Sequence, residues 1–263
     1  MSRNTNLENS SSLRTSTLVI ERSKGASFNK PVVICGFVGP GLAGLTAAGY
    51  IIDHLQLHEV AHVMSHHIPP SVIFIGGRIR NPFRIYRDAS GKLAVIICEV
   101  PIATGGLYDI SSALLLWFER FEPAEFVVLD GVPIDALPEE RPTFYVAEEE
   151  RQNDLKALGF VPAEATLIGG TAGSILSECI ARKVRCLSLL VPVSRSLMDP
   201  GAPLALVQGL NSLYKLNVTT KELEEDVAMV HNELNEIRKQ YQKLQDQALV
   251  GKDESVKAQN VYG

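Results

Sequence analysis

The sequence predicts an α/β protein: a doubly wound, mostly parallel sheet with helices on both faces. A long C-terminal heptad helix and a flexible tail follow it. Short apolar runs alternate with helical patterns through residues 16–217, which is typical of parallel strands covered on both faces. Near the C-terminus, apolar residues recur at steps of four and three, which indicates a heptad helix. With 46% hydrophobic and 21% charged residues, the composition is that of an ordinary globular protein.

Four segments follow from these patterns. Residues 1–15 are polar and have no apolar core, so we interpret them as a disordered lead-in. Residues 16–217 form the α/β domain, residues 218–249 the amphipathic or coiled-coil helix, and residues 250–263 the flexible tail.

The first elements of the α/β domain are predicted from apolar runs and their spacing. Strands are expected at TLVIER, PVVICGF, EVAHVMS and SVIFIGG, with a helix at GLAGLTAAGYIIDHLQ after the second strand. FRIYRDASGKLAVIICEV reads as two strands around a short connection in which Gly91 suits a positive φ. This hairpin-like insertion interrupts the alternation of strands and helices.

The remaining elements return to that alternation. Helices are predicted at GGLYDISSALLLWFERF, RQNDLKALG, TAGSILSECIARK and PGAPLALVQGLNSLYKL, and strands at EFVVLDGV, TFYVAE, TLIGG and RCLSLLVPV. The helix at RQNDLKALG is expected to stop at Gly159. Proline near the start of the last helix suits its first turn.

The C-terminal helix opens with Thr219 and Glu222 in capping-box spacing. The helix either packs on the flank of its own domain or pairs with another subunit, because a narrow apolar stripe suits a coiled-coil seam. The stripe consists of Leu223, Val227, Val230, Leu234, Ile237, Tyr241, Leu244 and Ala248.

The stretch VVICGFVGPGLAGLTAAGY contains the pattern most typical of an enzyme. Gly39, Gly41 and Gly44 form G-x-G-x-x-G between a strand and a helix, where a dinucleotide pyrophosphate can bind. However, Pro40 removes an N–H from the loop, and no acidic residue ends the next strand. The alternative is that these glycines allow a tight turn into a closely packed helix. We therefore predict no cofactor.

Histidines and arginines cluster between residues 54 and 87. Five of the six histidines lie at positions 54, 58, 62, 66 and 67, but they cross several predicted elements and show no HExxH spacing, so no metal site is predicted. Arginines 78, 80, 84 and 87 can form a phosphate-binding or acidic-partner patch, or simply a solvated hairpin face. No nucleophile or acid–base pair stands out, so an enzyme is not expected.

Composition also limits the partners. A formal net charge of −5 argues against nucleic acid and anionic membranes as main partners. No run of about 18 apolar residues occurs, so no transmembrane helix is expected. Four cysteines stand in apolar runs without zinc-type spacing, which predicts buried, reduced thiols in a cytoplasmic protein.

The last three residues, Val261, Tyr262 and Gly263, have the form hydrophobic–tyrosine–any at a C-terminus. This resembles the tail motif with which proteasome activators dock on the proteasome α-ring. The segments GFVGPGLAGLTAAGYIID, EVPIATGGLYDISSALLLWF and LIGGTAGSILSECIARKV resemble the archaeal proteasome assembly chaperone family (proteasome assembly chaperone 2-like). The resemblance covers about residues 16–217 and the tip.

The resemblance implies a nucleoside-phosphorylase-like fold and a non-enzymatic, homo-oligomeric protein, such as a tetramer or pentamer, with a related paralogous subunit as an alternative partner. Its tails would enter pockets between α subunits, where the carboxylate meets a lysine and the tyrosine contacts the reverse turn that controls the gate. It would act as an assembly chaperone or as an activator that needs no ATP. The alternatives are a nucleoside phosphorylase- or hydrolase-like enzyme that uses the glycine loops, and a plain coiled-coil scaffold.

Overall fold

The structure is a computed structural model that describes residues 17–22, 26–138, 140–164, 166–195 and 199–229. The predicted lead-in and tail lie outside the described residues. So does the predicted C-terminal helix from residue 230 onward.

Within the described ranges, strands and helices alternate along most of the chain. The strands are β1 Thr17–Glu21, β2 Val32–Phe37, β3 His58–Ser65, β4 Ile73–Ile75, β5 Arg78–Arg80, β6 Phe83–Arg87, β7 Leu93–Cys98, β8 Glu125–Ile134, β9 Phe144–Ala147, β10 Val161–Pro162 and β11 Cys186–Ser194. The helices are α1 Ala43–His54, α2 Leu107–Glu119, α3 Glu149–Ala157, α4 Gly170–Arg182 and α5 Gly201–Tyr214. Short 3-10 turns, Pro40–Leu42 and Thr104–Gly106, lead into α1 and α2.

The main sheet is mixed rather than mostly parallel. Among the described residues it has nine strands in the order β1-β3-β6-β7-β2-β8-β11-β9-β10. Its centre, β7-β2-β8-β11, is parallel. On one side β1, β3 and β6 add antiparallel pairings, and on the other β9 pairs antiparallel with β11. The sequence predicted the parallel centre and the one hairpin insertion, β6–β7, but not the other antiparallel pairings.

Helices cover both faces of the sheet, as predicted. Alternate residues of β2 point to opposite faces: Ile34 joins a core with α1 and α5, whereas Val33 and Cys35 join a core with α2 and α4. Helices α2 and α4 are also linked by a buried hydrogen bond of 2.7 Å between the hydroxyls of Ser111 and Ser174.

Two segments differ from the sequence-based expectation. TLIGG, residues 166–170, was predicted as a strand, but residues 166–169 are an irregular connection and Gly170 begins α4. SVIFIGG does form a strand, β4, but it pairs with β5 in a separate two-stranded sheet. By contrast, Gly91 adopts the predicted positive φ, at 72°, in the turn between β6 and β7.

The four cysteines are free and buried, as predicted. Burial raises the pKa of the Cys98 thiol to about 11 and also raises that of Cys35. Because reactivity requires the thiolate, these two groups are poor nucleophiles.

The start of the C-terminal helix packs on its own domain. Residues 221–229 are helical, and the first helical hydrogen bond runs from the Glu224 N–H to the Thr220 carbonyl at 2.9 Å. The capping residue is therefore Thr220 and not Thr219, whose carbonyl instead accepts a hydrogen bond of 2.9 Å from the Tyr50 hydroxyl. Leu223 is buried in the core beside α1 and α5.

Candidate functional site

A cleft opens where the parallel strands of the sheet end. It has a volume of about 370 Å³ and lies between the loop after β2, the second half of β8 and the start of α4. This is the edge of an open α/β sheet at which ligands generally bind. Its lining includes Gly39, Pro40, Asp130, Leu167 and Gly170.

Asp130 is the acidic residue of this cleft. Its Oδ1 accepts a hydrogen bond of 2.8 Å from the Gly131 N–H. Burial raises the pKa of the Asp130 carboxyl above its usual value, and the hydrogen bond from Gly131 opposes this shift. Sequence reasoning missed this residue, although an aspartate inside the apolar strand EFVVLDGV was a visible signal.

The glycines of the G-x-G-x-x-G pattern serve close packing. A β-carbon on Gly39 would lie 2.5 Å from Asp130 Oδ1, and one on Gly41 would lie 2.9 Å from the Val193 β-carbon. A β-carbon on Gly44 would overlap the Leu129 carbonyl. A bound phosphate needs hydrogen-bond donors around it, whereas the Asp130 oxygen beside the loop is an acceptor. This geometry favours the packing interpretation over a dinucleotide site.

Three pairs of adjacent glycines, at positions 76–77, 105–106 and 169–170, lie outside that pattern, and only the last pair is at the cleft. Gly169 and Gly170 line it. Gly106, which directly precedes α2, packs on the side chain of His67. Gly76 and Gly77 form the turn of the β4–β5 hairpin, with φ values of 60° and 73°.

The clustered histidines lie in several separate elements of the fold. His54 at the end of α1 lies 3.5 Å from Glu222, and His67 lies 3.3 Å from Asp109. His58 and His62 belong to β3. Among the described residues, no group of three or more histidine, cysteine, aspartate or glutamate side chains is placed to hold a metal ion.

The four clustered arginines separate into two kinds. Arg84 is buried, where its Nη2 lies 2.6 Å from Glu99 Oε2 and its Nε donates to the Tyr86 hydroxyl at 2.7 Å. Arg87 Nε donates to the Asp88 carbonyl at 3.1 Å. Arg78 and Arg80 lie on the protruding β4–β5 hairpin. A single four-arginine patch is therefore not formed.

The predicted partner-binding residues are only partly described. Leu223 is buried in the core of its own domain and Val227 is half-buried. The rest of the seam lies outside the described residues, as does the tail motif; these are Val230, Leu234, Ile237, Tyr241, Leu244 and Ala248, and Val261, Tyr262 and Gly263. The seam beyond Leu223 and the tail motif stay predictions.

Two further properties of the described residues bear on function. None of the helices seen there has the length and apolar character needed to cross a bilayer. Several large apolar side chains are exposed on the β4–β5 hairpin, namely Val72, Phe74, Ile75 and Ile79. The sequence could not reveal this exposure, because an exposed apolar strand has the same sequence pattern as a buried one.

Comparison with known proteins reveals a family match and close structural neighbours. The model of the PAC2 family matches residues 33–238. A protein of unknown function from Thermoplasma acidophilum has 42% sequence identity and a TM-score of 0.72, with 84% of this chain and 90% of that chain covered.

Two proteins of Pyrococcus furiosus share the fold at lower identity. PbaA, an archaeal homolog of proteasome-assembly chaperone, has 21% identity and a TM-score of 0.77, covering 88% of this chain and 95% of its own. PbaB, an archaeal proteasome activator, has 18% identity and a TM-score of 0.75, covering 85% of this chain and 99% of its own.

Proposed function

Because this chain belongs to the PAC2 family, we propose that it is a non-enzymatic proteasome-binding protein. It acts in the cytoplasm as a homo-oligomeric assembly chaperone or as an activator that needs no ATP. Its relatives in Pyrococcus furiosus support this proposal, since one is a homolog of proteasome-assembly chaperone and the other a proteasome activator.

The observation that carries the proposal is the sequence Val261–Tyr262–Gly263. The Gly263 carboxylate pairs with a lysine in a pocket between two α subunits of the proteasome, as a charge-assisted hydrogen bond. Tyr262 contributes apolar area and one hydroxyl, and it contacts the turn that controls the gate. The proposal requires the Gly263 carboxylate to be free.

The α/β domain holds several tails together. One tail binds weakly, because ordering a flexible peptide offsets much of its contact free energy. When several tails belong to one oligomer, the later binding events are intramolecular, and the gain in avidity is about 10²–10⁴. Oligomerisation is therefore part of the mechanism, whether the oligomer consists of this chain alone or includes a related subunit.

The test mixes the full chain with archaeal proteasome core particles. We expect the wild-type chain to co-sediment with the core particles and to raise their peptide hydrolysis. Tyr262→Ala, deletion of residues 261–263, and a chain with residues added after Gly263 should each reduce co-sedimentation at least tenfold. The matched control is Asn260→Ala, which changes the tail next to the motif and should bind as the wild type does. Equal binding by wild type and the deletion variant would disprove the tail mechanism.

The cleft supports a second candidate, a small-molecule enzyme of the nucleoside phosphorylase or hydrolase class. Its volume of about 370 Å³ falls within the range of ligand pockets, and Asp130 supplies a carboxyl. Nucleosides, phosphate and dinucleotides would be screened by their effect on the melting temperature. A ligand that raises the melting temperature by several degrees in the wild type but not in Asp130→Asn would favour the enzyme.

A further inference from the structure

The hairpin formed by β4 and β5, with its flanking residues, carries several large apolar side chains that are exposed. We refer to residues 71–80 as the basic hairpin. Val72, Phe74, Ile75 and Ile79 are each between 54% and 70% exposed. Exposed clusters of large apolar side chains usually mark a contact with another molecule.

The basic hairpin has little support from the rest of its own chain. Its strands have three residues each, and in the described structure they pair only with one another, with Phe74 opposite Ile79. An isolated two-stranded hairpin is at best marginally stable in water and needs packing on another surface. The geometry therefore calls for a partner that covers it.

The charge of this region indicates what kind of surface that partner presents. Residues 60–87 contain four arginines and no acidic residue, although the whole chain has a formal net charge of −5. Two of the four, Arg78 and Arg80, are in β5 beside the exposed apolar residues. An acidic surface with some apolar area is complementary to this combination.

The chain itself has such a surface at the far edge of its sheet. We refer to residues 148–164 as the acidic edge; it contains α3 and β10. It has five acidic and two basic residues, and Glu148, Glu149 and Glu150 are exposed. Leu158 and Val161 are exposed there too, at 43% and 39%. Within the described residues, β10 is the last strand of the sheet and pairs only with β9.

The two surfaces lie on opposite sides of one subunit. The basic hairpin connects β3 to β6, and β6 is six strands away from β10 in the sheet order. At about 4.8 Å between neighbouring strands, this separation is about 29 Å. A contact between the two surfaces is therefore most readily made between different copies of the chain.

We propose that the basic hairpin of one copy docks on the acidic edge of a second copy. Phe74 and Ile79 pack on Leu158 and Val161, and Arg78 and Arg80 face the exposed glutamates of α3. This contact is head-to-tail, so each subunit offers one hairpin and receives another, and a ring forms if the rotation closes. It rests on the homo-oligomer of the proposed function and identifies the surface through which that oligomer assembles.

The test is a charge swap, measured by light scattering and sedimentation velocity on the full chain without proteasome. The wild type should have a mass larger than one subunit. Arg78→Glu/Arg80→Glu and Glu149→Lys/Glu150→Lys should each weaken association at least tenfold and move the mass toward that of a monomer. The variant with all four substitutions restores opposite charges across the contact and should regain the wild-type mass.

Two controls accompany the swap. Lys30→Glu/Lys92→Glu changes the net charge as much as the hairpin variant does, at exposed lysines outside both surfaces, and should assemble normally. Phe74→Ser removes apolar area without changing charge, from a side chain 70% exposed, and should also weaken association. Because these side chains are exposed, apart from the half-buried Arg80, melting temperatures should stay within a few degrees of that of the wild type.

The outcomes separate the two proposals. A monomeric wild type, double variants that keep their mass, or a fourfold variant that stays monomeric would each overturn the hairpin contact. A monomeric wild type would also contradict the multivalent tail mechanism, whereas the other two results leave it standing, because they concern only the surface through which the subunits associate. Conversely, if the wild type did not bind the proteasome, the hairpin contact would still stand.

Discussion

Gly44 in α1 packs directly on the backbone of Leu129 in β8, so that a β-carbon added at Gly44 would overlap the Leu129 carbonyl oxygen. Gly36 in β2 has the same relationship to α1, since a β-carbon there would meet the Gly44 carbonyl and the Ala48 side chain. The last glycine of the G-x-G-x-x-G pattern thus brings α1 close to the central strands. The pattern is explained by packing without any ligand.

Gly44→Ala should destabilise the protein by at least 1–3 kcal/mol, about the cost of overpacking a core, because the backbone of β8 cannot move aside easily. Urea denaturation measures the change. Gly49→Ala is the matched control in the same helix: a β-carbon there meets nothing within 4 Å, so it should be neutral or stabilise by about 0.5–1 kcal/mol through helix propensity. Equal effects of the two substitutions would contradict this account of α1.

Arg151→Met should lower the free energy of unfolding by about 3 kcal/mol, because it leaves the buried Glu125 carboxylate without its cation. Arg151 Nε and Nη2 donate to Glu125 at 3.0 and 3.1 Å, and the Tyr214 hydroxyl donates to the same carboxylate. Arg195→Met removes an exposed ion pair with Asp135 and should change the stability by less than about 1 kcal/mol. Thermal denaturation of both variants tests the difference.

Asp130→Asn should make the protein more stable than the wild type near neutral pH. Burial raises the pKa of this carboxyl above its ordinary value of 3.8, so the folded state favours the protonated form. A carboxyl whose pKa is higher in the folded than in the unfolded state contributes stability to the folded protein. This contribution is fully present below the pKa of the unfolded state and is lost as the pH rises through the pKa of the folded state. Melting temperatures of both proteins from pH 4 to pH 8 should therefore diverge as the pH rises. A difference that does not change with pH would show that desolvation of the charge is not the cause.

Leu223→Ala should cost about 2–4 kcal/mol of stability, because its side chain is buried in the core of its own domain. Met229→Ala is the control, since Met229 is 55% exposed in the same helix and should change stability by less than about 0.5 kcal/mol. Denaturation is measured at several protein concentrations. If the loss at Leu223 varied with concentration, its burial would depend on another subunit.

Much of the fold was predictable from local patterns. The strands β2, β7, β8 and β11 are continuous apolar runs, and α1, α2, α4 and α5 have apolar residues at helical spacing. Each pattern depends on residues that are near one another in the chain. The burial of the cysteines and the turn at Gly91 were predictable for the same reason.

The candidate site was much less predictable. Asp130 acquires its environment from the loop after β2 and from the start of α4, which are distant in the sequence. The strand β4 has the composition of a core strand, yet its side chains are largely exposed, because it pairs with β5 instead of with the main sheet.

The sequence alone determined the kinds of elements in this protein, the apolar faces on which they pack, and the terminal residues on which the proposed docking rests. Only the tertiary structure decided which strands are neighbours, which glycines pack against the backbone of another element, and which apolar residues remain exposed. Helical and strand periodicities arise from the geometry of adjacent residues, whereas sheet order and burial depend on contacts between distant parts of the chain.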